Sequence, residues 1–159
     1  AEGIFPRMSL ERNLLSAALS RVTRIGLIQP GASRRLAGEL LRALSIRARG
    51  LDQVIVRLSG GNQQKVVLAR WIATNSNVLI VDEPTQGIDV GAKAEIHKLL
   101  RQLAGDGKAV LMVSSDLPEL LGMCDRIAVM AGGRVQAVLE GRSATEEGVM
   151  TLAAGPGAA

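Results

Sequence analysis

Aromatic residues are almost absent from this 159-residue sequence, which has no tyrosine, one phenylalanine (Phe5) and one tryptophan (Trp71). Proteins that bind single-stranded nucleic acid stack successive bases on aromatic rings, so this composition argues against that class. The formal net charge is +4 at pH 7, and the arginines are scattered along the chain. We therefore predict a basic, solvated surface and no nucleic-acid partner.

Cysteine and histidine are equally scarce, since Cys124 and His97 are the only residues of their kinds. This excludes an intramolecular disulfide framework and a cysteine metal cluster. No apolar run approaches the roughly 20 residues that span a bilayer. Residues 1–20 also lack the basic start and unbroken apolar core of a signal peptide. If the protein serves a membrane process, we expect it to do so as a part docked on another protein.

Hydrophobic residues make up 47% of the sequence, which is typical of a globular protein. The first part is mostly helical, because leucines recur at helical spacing in residues 33–44 and residues 59–74 form an amphipathic pattern. After residue 77, apolar strands alternate with helices, which favours parallel strands covered by helices. We predict an α/β fold with a helical subdomain at 1–75 and a second domain at 76–159.

Short apolar runs bounded by turn residues predict the strands of the second domain. Two of these runs are expected to be buried, and the other two flank Gly132 and Gly133, which favours a hairpin. Ser143 with Glu146 three residues later predicts the start of a last helix. The predicted strands are Val78–Asp82, 109–114, 126–130 and 134–140.

The most distinctive stretch is Leu58-Ser59-Gly60-Gly61-Asn62-Gln63-Gln64-Lys65, where the amphipathic helix begins. Ser59 is a suitable N-cap, and the two glycines leave the first-turn N–H groups of the backbone uncovered. Unpaired donors and the positive end of the helix dipole attract anions together. This helix start is therefore expected to hold a phosphate without a side-chain charge.

A second distinctive stretch, Val78-Leu79-Ile80-Val81-Asp82-Glu83-Pro84-Thr85, follows about 20 residues later. Asp82 and Glu83 stand where the predicted strand ends. Neighbouring strand residues point to opposite faces, so the two carboxylates are expected to serve different partners. A carboxylate at a strand end can hold Mg²⁺ beside phosphate groups.

In this order and at this spacing, the two stretches resemble the signature sequence and the Walker B strand of ATP-binding-cassette (ABC) ATPases. The resemblance implies ATP and Mg²⁺ as cofactors. It also implies part of a P-loop NTPase domain, with the helical signature subdomain followed by the C-terminal half of a RecA-like core.

The resemblance implies a role for individual residues. Asp82 would hold the metal, and Glu83 would be the catalytic residue that orients and polarises the attacking water. Asp89 occupies the D-loop position at a dimer interface, and it can also cap the helix that follows. Ser115 stands where the family has a histidine that contacts the γ-phosphate. The signature residues implied to contact nucleotide are Ser59, Gly60, Gly61 and Asn62.

Three stretches, at 62–65, 85–93 and 114–119, are similar to the second nucleotide-binding domain of importers for ribose, xylose or galactose. The resemblance implies a peripheral ATPase at the cytoplasmic face of the plasma membrane. Its partners would be a second nucleotide-binding domain, transmembrane permease subunits and, indirectly, a sugar-binding protein. In such a pair, the signature would complete the partner's ATP site, whereas Asp82, Glu83 and Ser115 would belong to a weaker site.

Two other readings of the sequence stay open. No Gly-x-x-x-x-Gly-Lys-Ser/Thr phosphate loop occurs in the sequence, which favours a non-catalytic binding or regulatory fragment for the chain alone. A DNA-repair-type ABC ATPase shares both motifs, but such proteins usually carry long heptad arms and none is present.

We predict that the isolated chain neither hydrolyses ATP nor binds it tightly, because Asp82 can hold Mg²⁺ at a nucleotide only if other residues hold the phosphates. Calorimetric titration of the pure chain with Mg-ATP tests this. Tight one-to-one binding would contradict the prediction.

Overall fold

Residues 3–155 are described by a computed structural model, in which helices and strands alternate along most of the chain. Short 3-10 turns occur at Leu19–Arg21 and Ile55–Arg57. The helices are α1 (Leu10–Leu15), α2 (Pro30–Ala43), α3 (Gly60–Ile72), α4 (Val90–Gly105), α5 (Leu117–Met123) and α6 (Glu146–Ala154). The strands are β1 (Thr23–Arg24), β2 (Leu27–Ile28), β3 (Val78–Asp82), β4 (Ala109–Val113), β5 (Arg126–Ala131) and β6 (Arg134–Glu140).

The chain forms two units, which divide after Met112, one residue before the end of β4. The division between 75 and 76 that the sequence suggests separates a mostly helical segment from an α/β segment, and it stays a prediction. The first unit holds α1 to α4, and the second holds α5, α6 and the β5–β6 hairpin.

The core of the first unit is built on α1, which packs against both α2 and α3. Its leucines Leu10 and Leu14 are completely buried, as is Val66 of α3. Each such side chain contributes about 1.5–3 kcal/mol when it leaves water. The short helix α1 therefore owes its position to packing more than to its own six residues.

A polar network crosses this core and ties the segment before α1 to α3. Asn13 is completely buried, and its Oδ1 accepts a hydrogen bond from Phe5 N at 2.9 Å. Arg70 donates from Nε to Asn13 O at 2.9 Å and from Nη1 to Gly3 O. The guanidinium also lies 5.1 Å from the centre of the Phe5 ring. Burial lowers the pKa of Arg70, but its hydrogen bonds hold the cation in place.

Strands β3 and β4 are neighbours in a two-stranded sheet. A hydrogen bond from Ala109 N to Asn77 O, at 2.9 Å, joins the two segments where their strands begin, as in a parallel pair. The sequence predicted buried strands, yet burial alternates: Val81 is 6% exposed and Ile80 is 66% exposed. Only one face of this sheet is covered within the described residues, so the apolar residues on the other face remain exposed.

The second unit confirms the predicted hairpin, because β5 and β6 pair antiparallel with a bulge between Val129 and Met130. Helix α6 packs on β5 through a small core that includes Val129 and Val149. The predicted start of α6 is wrong. Thr145, not Ser143, caps the helix by accepting from Gly148 N at 3.1 Å. The Ser143 hydroxyl instead donates to the backbone carbonyl of Glu140, in the turn that ends β6.

The polar network around Asn13 gives a prediction for stability. Asn13→Ala removes the acceptor of Phe5 N and leaves buried groups without partners, at a cost of about 1–3 kcal/mol for each. We expect the melting temperature to fall by roughly 5 °C or more. As a control, Gln29→Ala removes one exposed side-chain hydrogen bond, to Leu27 O, and should change it little. Equal melting temperatures for the two variants would contradict the structural role of Asn13.

Candidate functional site

The first turn of α3 is open on its outer side, as the sequence predicted. Ser59 stands at the N-cap position in an extended conformation, but its hydroxyl accepts from no backbone N–H group. It accepts instead from Asn62 Nδ2, at 2.9 Å, while Asn62 Oδ1 accepts from Arg47 N at 2.8 Å. The expected capping bond is therefore absent, and Ser59 and Gly60 lie exposed at the positive end of a 13-residue helix.

A second helix start lies directly beside the first. Asp89 caps α4, because its Oδ1 accepts from Ala92 N at 2.9 Å, which confirms the predicted capping role. A Cβ placed on Gly61 would lie only 2.5 Å from the Cβ of Ala92. A Cβ on Gly60 would lie 3.9 Å from Gly87 O, which is ordinary contact. Gly61 is thus the position where α3 approaches α4 too closely for a side chain.

The two helix starts share a cavity of about 210 Å³. Four of its lining residues were assigned to nucleotide binding from the sequence, namely Ser59, Gly61, Asn62 and Asp89. Its lining also contains charged residues of both signs. The lining residues are Arg47, Ser59, Gly61, Asn62, Lys65, Asp89, Gly91, Ala92 and Glu95.

The main charged contact of this cavity joins α3 to α4. Lys65 is only 5% exposed, and its Nζ lies 2.5 Å from Glu95 Oε2 and 3.3 Å from Ser45 O. Arg47 Nη2 lies 4.0 Å from Glu95 Oε1. The hydrogen bond from Lys65, and then its charge, hold the pKa of Glu95 below the usual carboxyl range. Glu95 therefore stays ionised at neutral pH.

Sequence reasoning missed Lys65 and Glu95 as site residues. One available signal was the spacing along α3, where Lys65 follows Gly61 by four residues and precedes Ala69 by four. Residues at this spacing lie on one face of a helix, and in α3 that face is buried. A lysine on a buried face needs a partner, which here is Glu95 of α4.

The two neighbouring carboxylates stand at the end of β3, as the sequence predicted. Asp82 is the last residue of the strand and is exposed. Glu83 has a φ of +45°, in the left-handed region that non-glycine residues seldom adopt. Its carbonyl accepts from Gln86 N at 3.2 Å, so a tight turn holds it there. Backbone conformations of this kind concentrate at functional sites, which marks Glu83 out among the carboxylates of the first unit.

Asp82 fits a metal ion that takes its other ligands from phosphate and water. A hard cation such as Mg²⁺ binds through one or two carboxylates together with substrate oxygens. Within residues 3–155, no group of three or more histidine, cysteine, aspartate or glutamate side chains could hold a metal on its own. A single exposed carboxylate at a strand end is compatible with this shared type of site.

Ser115 belongs to the second unit, where it lies exposed just after β4. The turn around it is well defined. Ser114 Oγ donates to Glu119 Oε2 at 2.5 Å and accepts from Asp116 N at 3.0 Å. Asp116 Oδ1 accepts from Glu119 N at 3.0 Å, so Asp116 caps α5. Ser115 therefore lies in a turn whose conformation is fixed by hydrogen bonds.

None of the helices in the described part of the chain combines the length and the apolar character needed to cross a membrane.

Comparison with known proteins identifies the family. The model of the ABC transporter family matches residues 1–86. A ribose import ATP-binding protein of Streptomyces avermitilis is 53% identical over 159 residues, which is 100% of this chain and 32% of that protein. Another, from Rubrobacter xylanophilus, is 48% identical over 155 residues, covering 98% of this chain and 30% of the relative. The chain thus spans about a third of the length of these relatives.

Solved structures agree on the fold. A dimeric ATP-binding cassette in a post-hydrolysis state, bound to ADP and phosphate, matches with a TM-score of 0.72 at 26% identity. The match covers 89% of this chain and 60% of that one. An ABC transporter in an inward-facing conformation matches with a TM-score of 0.77 at 20% identity, over 91% of this chain and 57% of the other. The cassette fold implied by the sequence motifs is therefore confirmed.

The close approach of the two helix starts gives a prediction for Gly61. Gly61→Ala would place a Cβ 2.5 Å from that of Ala92, so the helices must move apart, at a cost of about 1–3 kcal/mol for an overpacked site. We expect a lower melting temperature, and we expect the double variant Gly61→Ala with Ala92→Gly to restore it.

Gly38→Ala is the matched control for this substitution. Gly38 lies inside α2, and an added Cβ would meet only Arg42 Nη1, at 3.6 Å. Alanine is favoured over glycine in a helix by about 1 kcal/mol, so this variant should melt at a higher temperature. If Gly61→Ala is also stabilising, the contact with Ala92 is not tight.

Proposed function

Because the chain belongs to the ABC transporter family, we propose that it is part of an ATP-hydrolysing subunit that energises import of a monosaccharide. The names of the relatives support sugar import. The observation that carries the proposal is the cavity between α3 and α4, where two adjacent helix starts present Ser59 and Asp89. The relatives are about three times as long as this chain, so the proposal concerns its role within such a protein.

The signature residues are proposed to complete an ATP site on a second cassette. Ser59 and Gly60 lie exposed at the start of α3, whose positive dipole end and free N–H groups suit a γ-phosphate. Because Ser59 Oγ accepts from Asn62, the serine keeps its own hydroxyl proton to donate to a phosphate oxygen. Asn62 thereby orients the serine and need not contact the nucleotide itself.

Asp82, Glu83 and Ser115 are proposed to belong to the second ATP site of the pair. Asp82 would hold Mg²⁺, which when bound neutralises phosphate charge. Glu83 would accept a hydrogen bond from the attacking water and draw its proton away. Ser115 can donate a hydrogen bond to the γ-phosphate but carries no charge, unlike a protonated histidine. Weaker stabilisation of the transferred phosphate makes this the slower of the two sites.

The partners proposed are a second nucleotide-binding domain, transmembrane permease subunits and, through these, a sugar-binding protein. A similar cassette has been solved as a dimer, which supports the first of these. The exposed apolar face of β3, with Val78 at 57% and Ile80 at 66%, is a surface that further cassette sequence would cover. The assembly would sit at the cytoplasmic face of the membrane, where ATP is available.

A second candidate is a non-catalytic role, in which the chain only donates its signature to a partner site. Ser115 favours this reading, because the residue lacks a charge to stabilise the transferred phosphate. ATP turnover at each site separates the two candidates. The DNA-repair type of ABC ATPase receives no support from the sugar-import relatives.

Substitutions at the two sites should have unequal effects. Gly60→Asp places a negative charge where the γ-phosphate approaches, so we expect it to abolish most ATPase activity and sugar uptake. Glu83→Gln keeps the shape and removes only the charge that polarises water, at the slower site. We expect this variant to keep a substantial fraction of both activities. Both are measured in the reconstituted full-length transporter.

Gly60→Ala is the matched control, because its Cβ would make only ordinary contacts, at 3.9 Å to Gly87 O. This variant should fold and retain much of the activity, which assigns the loss in Gly60→Asp to charge. If Glu83→Gln is more damaging than Gly60→Asp, the site that contains Ser115 is the working one and the assignment of roles is reversed.

A further inference from the structure

We propose that Lys65 is a positioning residue, which acts through its ion pair with Glu95 to hold the signature helix α3 and the helix that follows Asp89 in one fixed arrangement. The inference rests on the proposed function, because it matters only if the two helix starts serve ATP sites. If the start of one helix moved, the ion pair would move the start of the other helix with it.

The two residues occupy equivalent places in their helices. Lys65 is the sixth residue of α3 and Glu95 is the sixth of α4. Each therefore lies about one and a half turns from its helix start. The contact of Gly61 with Ala92 joins the first turns, and the ion pair joins the second turns. Two contacts at different distances from the helix ends fix both the separation and the angle of the helices.

The arrangement of charges makes this connection costly to break. Lys65 is 5% exposed, and its ammonium contacts Glu95 Oε2 at 2.5 Å and Ser45 O at 3.3 Å. Glu95 is half exposed, but the ammonium is buried, and a buried cation that loses its partner is unfavourable, so the lysine favours the position of α4 near α3. Ser45 itself has a φ of +49°, which shows that the turn after α2 is held in an uncommon conformation beside the ammonium.

A second path links the signature to the same carboxylate. Asn62 Oδ1 accepts from Arg47 N, and Arg47 Nη2 lies 4.0 Å from Glu95 Oε1. The two oxygens of Glu95 thus face one cation each. Asn62 also donates to Ser59 Oγ, so the serine is connected with α4 through Arg47 as well as through α3.

The consequence is a connection between two different ATP sites. In the proposed pair, Ser59 completes the site on the partner cassette, whereas Asp89 lies in the D-loop at the interface. Lys65 is engaged by Glu95 and Ser45, so it acts on these residues through the helices and not by binding phosphate. Loss of the ion pair should therefore slow the catalytic cycle more than it weakens ATP binding.

The test compares variants in the complete reconstituted transporter. Lys65→Met keeps the apolar stem and removes the charge, and Glu95→Gln removes the opposite charge. For each we expect kcat for ATP to fall about tenfold, with KM changed less than about twofold, for a coupling contact of this size. The double variant should be no slower than Lys65→Met, because both substitutions remove one connection. Lys65→Arg should recover part of the rate.

Lys98→Met is the matched control, because it removes an exposed lysine from α4, the helix that carries Glu95. It should leave kcat and KM unchanged. If Lys65→Met behaves like this control, or if the losses from Lys65→Met and Glu95→Gln multiply, the positioning role is wrong.

Hydrogen exchange without nucleotide gives a readout that does not depend on activity. Lys65→Met should speed exchange of the amides of residues 63–66 and 93–96, which begin with the first backbone N–H of each helix that donates to a carbonyl, with the rest of α3 and α4 unchanged. Faster exchange throughout both helices would show a general loss of stability and would overturn the proposal. A wild-type transporter without ATPase activity would refute the proposed function, whereas hydrogen exchange would still decide whether Lys65 positions α4.

Discussion

The close contact of α3 with α4 at Gly61 and Ala92 is the constraint on which the candidate site depends. Without a side chain at Gly61, the two helices approach until their starts share one cavity. Two positive dipole ends then lie side by side, and this is unfavourable unless negative charge is near. Asp89 supplies part of that charge at the start of α4, and a phosphate group at the start of α3 would supply more.

Helix α3 is held by two buried cations that do different work. Arg70, near its C-terminal end, binds Asn13 and the segment before α1 through backbone carbonyls. Lys65, near its N-terminal end, binds Glu95 of α4. The first anchors the helix in the core of the unit, and the second relates its open end to a neighbouring helix. Their charges alone would have suggested exposure to solvent, whereas the helical spacing places both residues on the buried face of α3.

The elements that the sequence predicted well are those set by local interactions. The predicted cap Asp89 accepts from the backbone N–H of Ala92, three residues later, and the predicted hairpin forms between neighbouring strands. Ser59 and Ser143 also looked like caps, but a neighbour changed the outcome in both cases. Asn62 donates to the Ser59 hydroxyl, and the turn after β6 engages Ser143 while Thr145 stands closer to the helix. Such competition among polar groups depends on the folded turn, so it could not be predicted from the spacing of residues in the sequence.

Which residues from distant segments share the candidate site could be predicted only from the resemblance to a family. The motif pattern predicts Ser59 and Asp89 as site residues, but it does not say that α3 and α4 touch. The pairing of Lys65 with Glu95 follows from that contact, and 30 residues of chain separate the two. Burial of β3 was predicted from its apolar run, yet Ile80 is exposed because burial is a property of the surroundings of a strand and not of the strand alone.

The two carboxylates at the end of β3 differ in backbone conformation. Asp82 continues the strand, and Glu83 leaves it with a φ of +45°. The turn from Glu83 to Gln86 is followed by Gly87 with a φ of +71°, and α4 is capped two residues later by Asp89. A non-glycine residue in this region costs on the order of 1–3 kcal/mol, and the two residues that follow it, Pro84 and Thr85, are buried. Glycine, which has no Cβ, would adopt the same conformation with less strain, so the turn itself does not call for a glutamate.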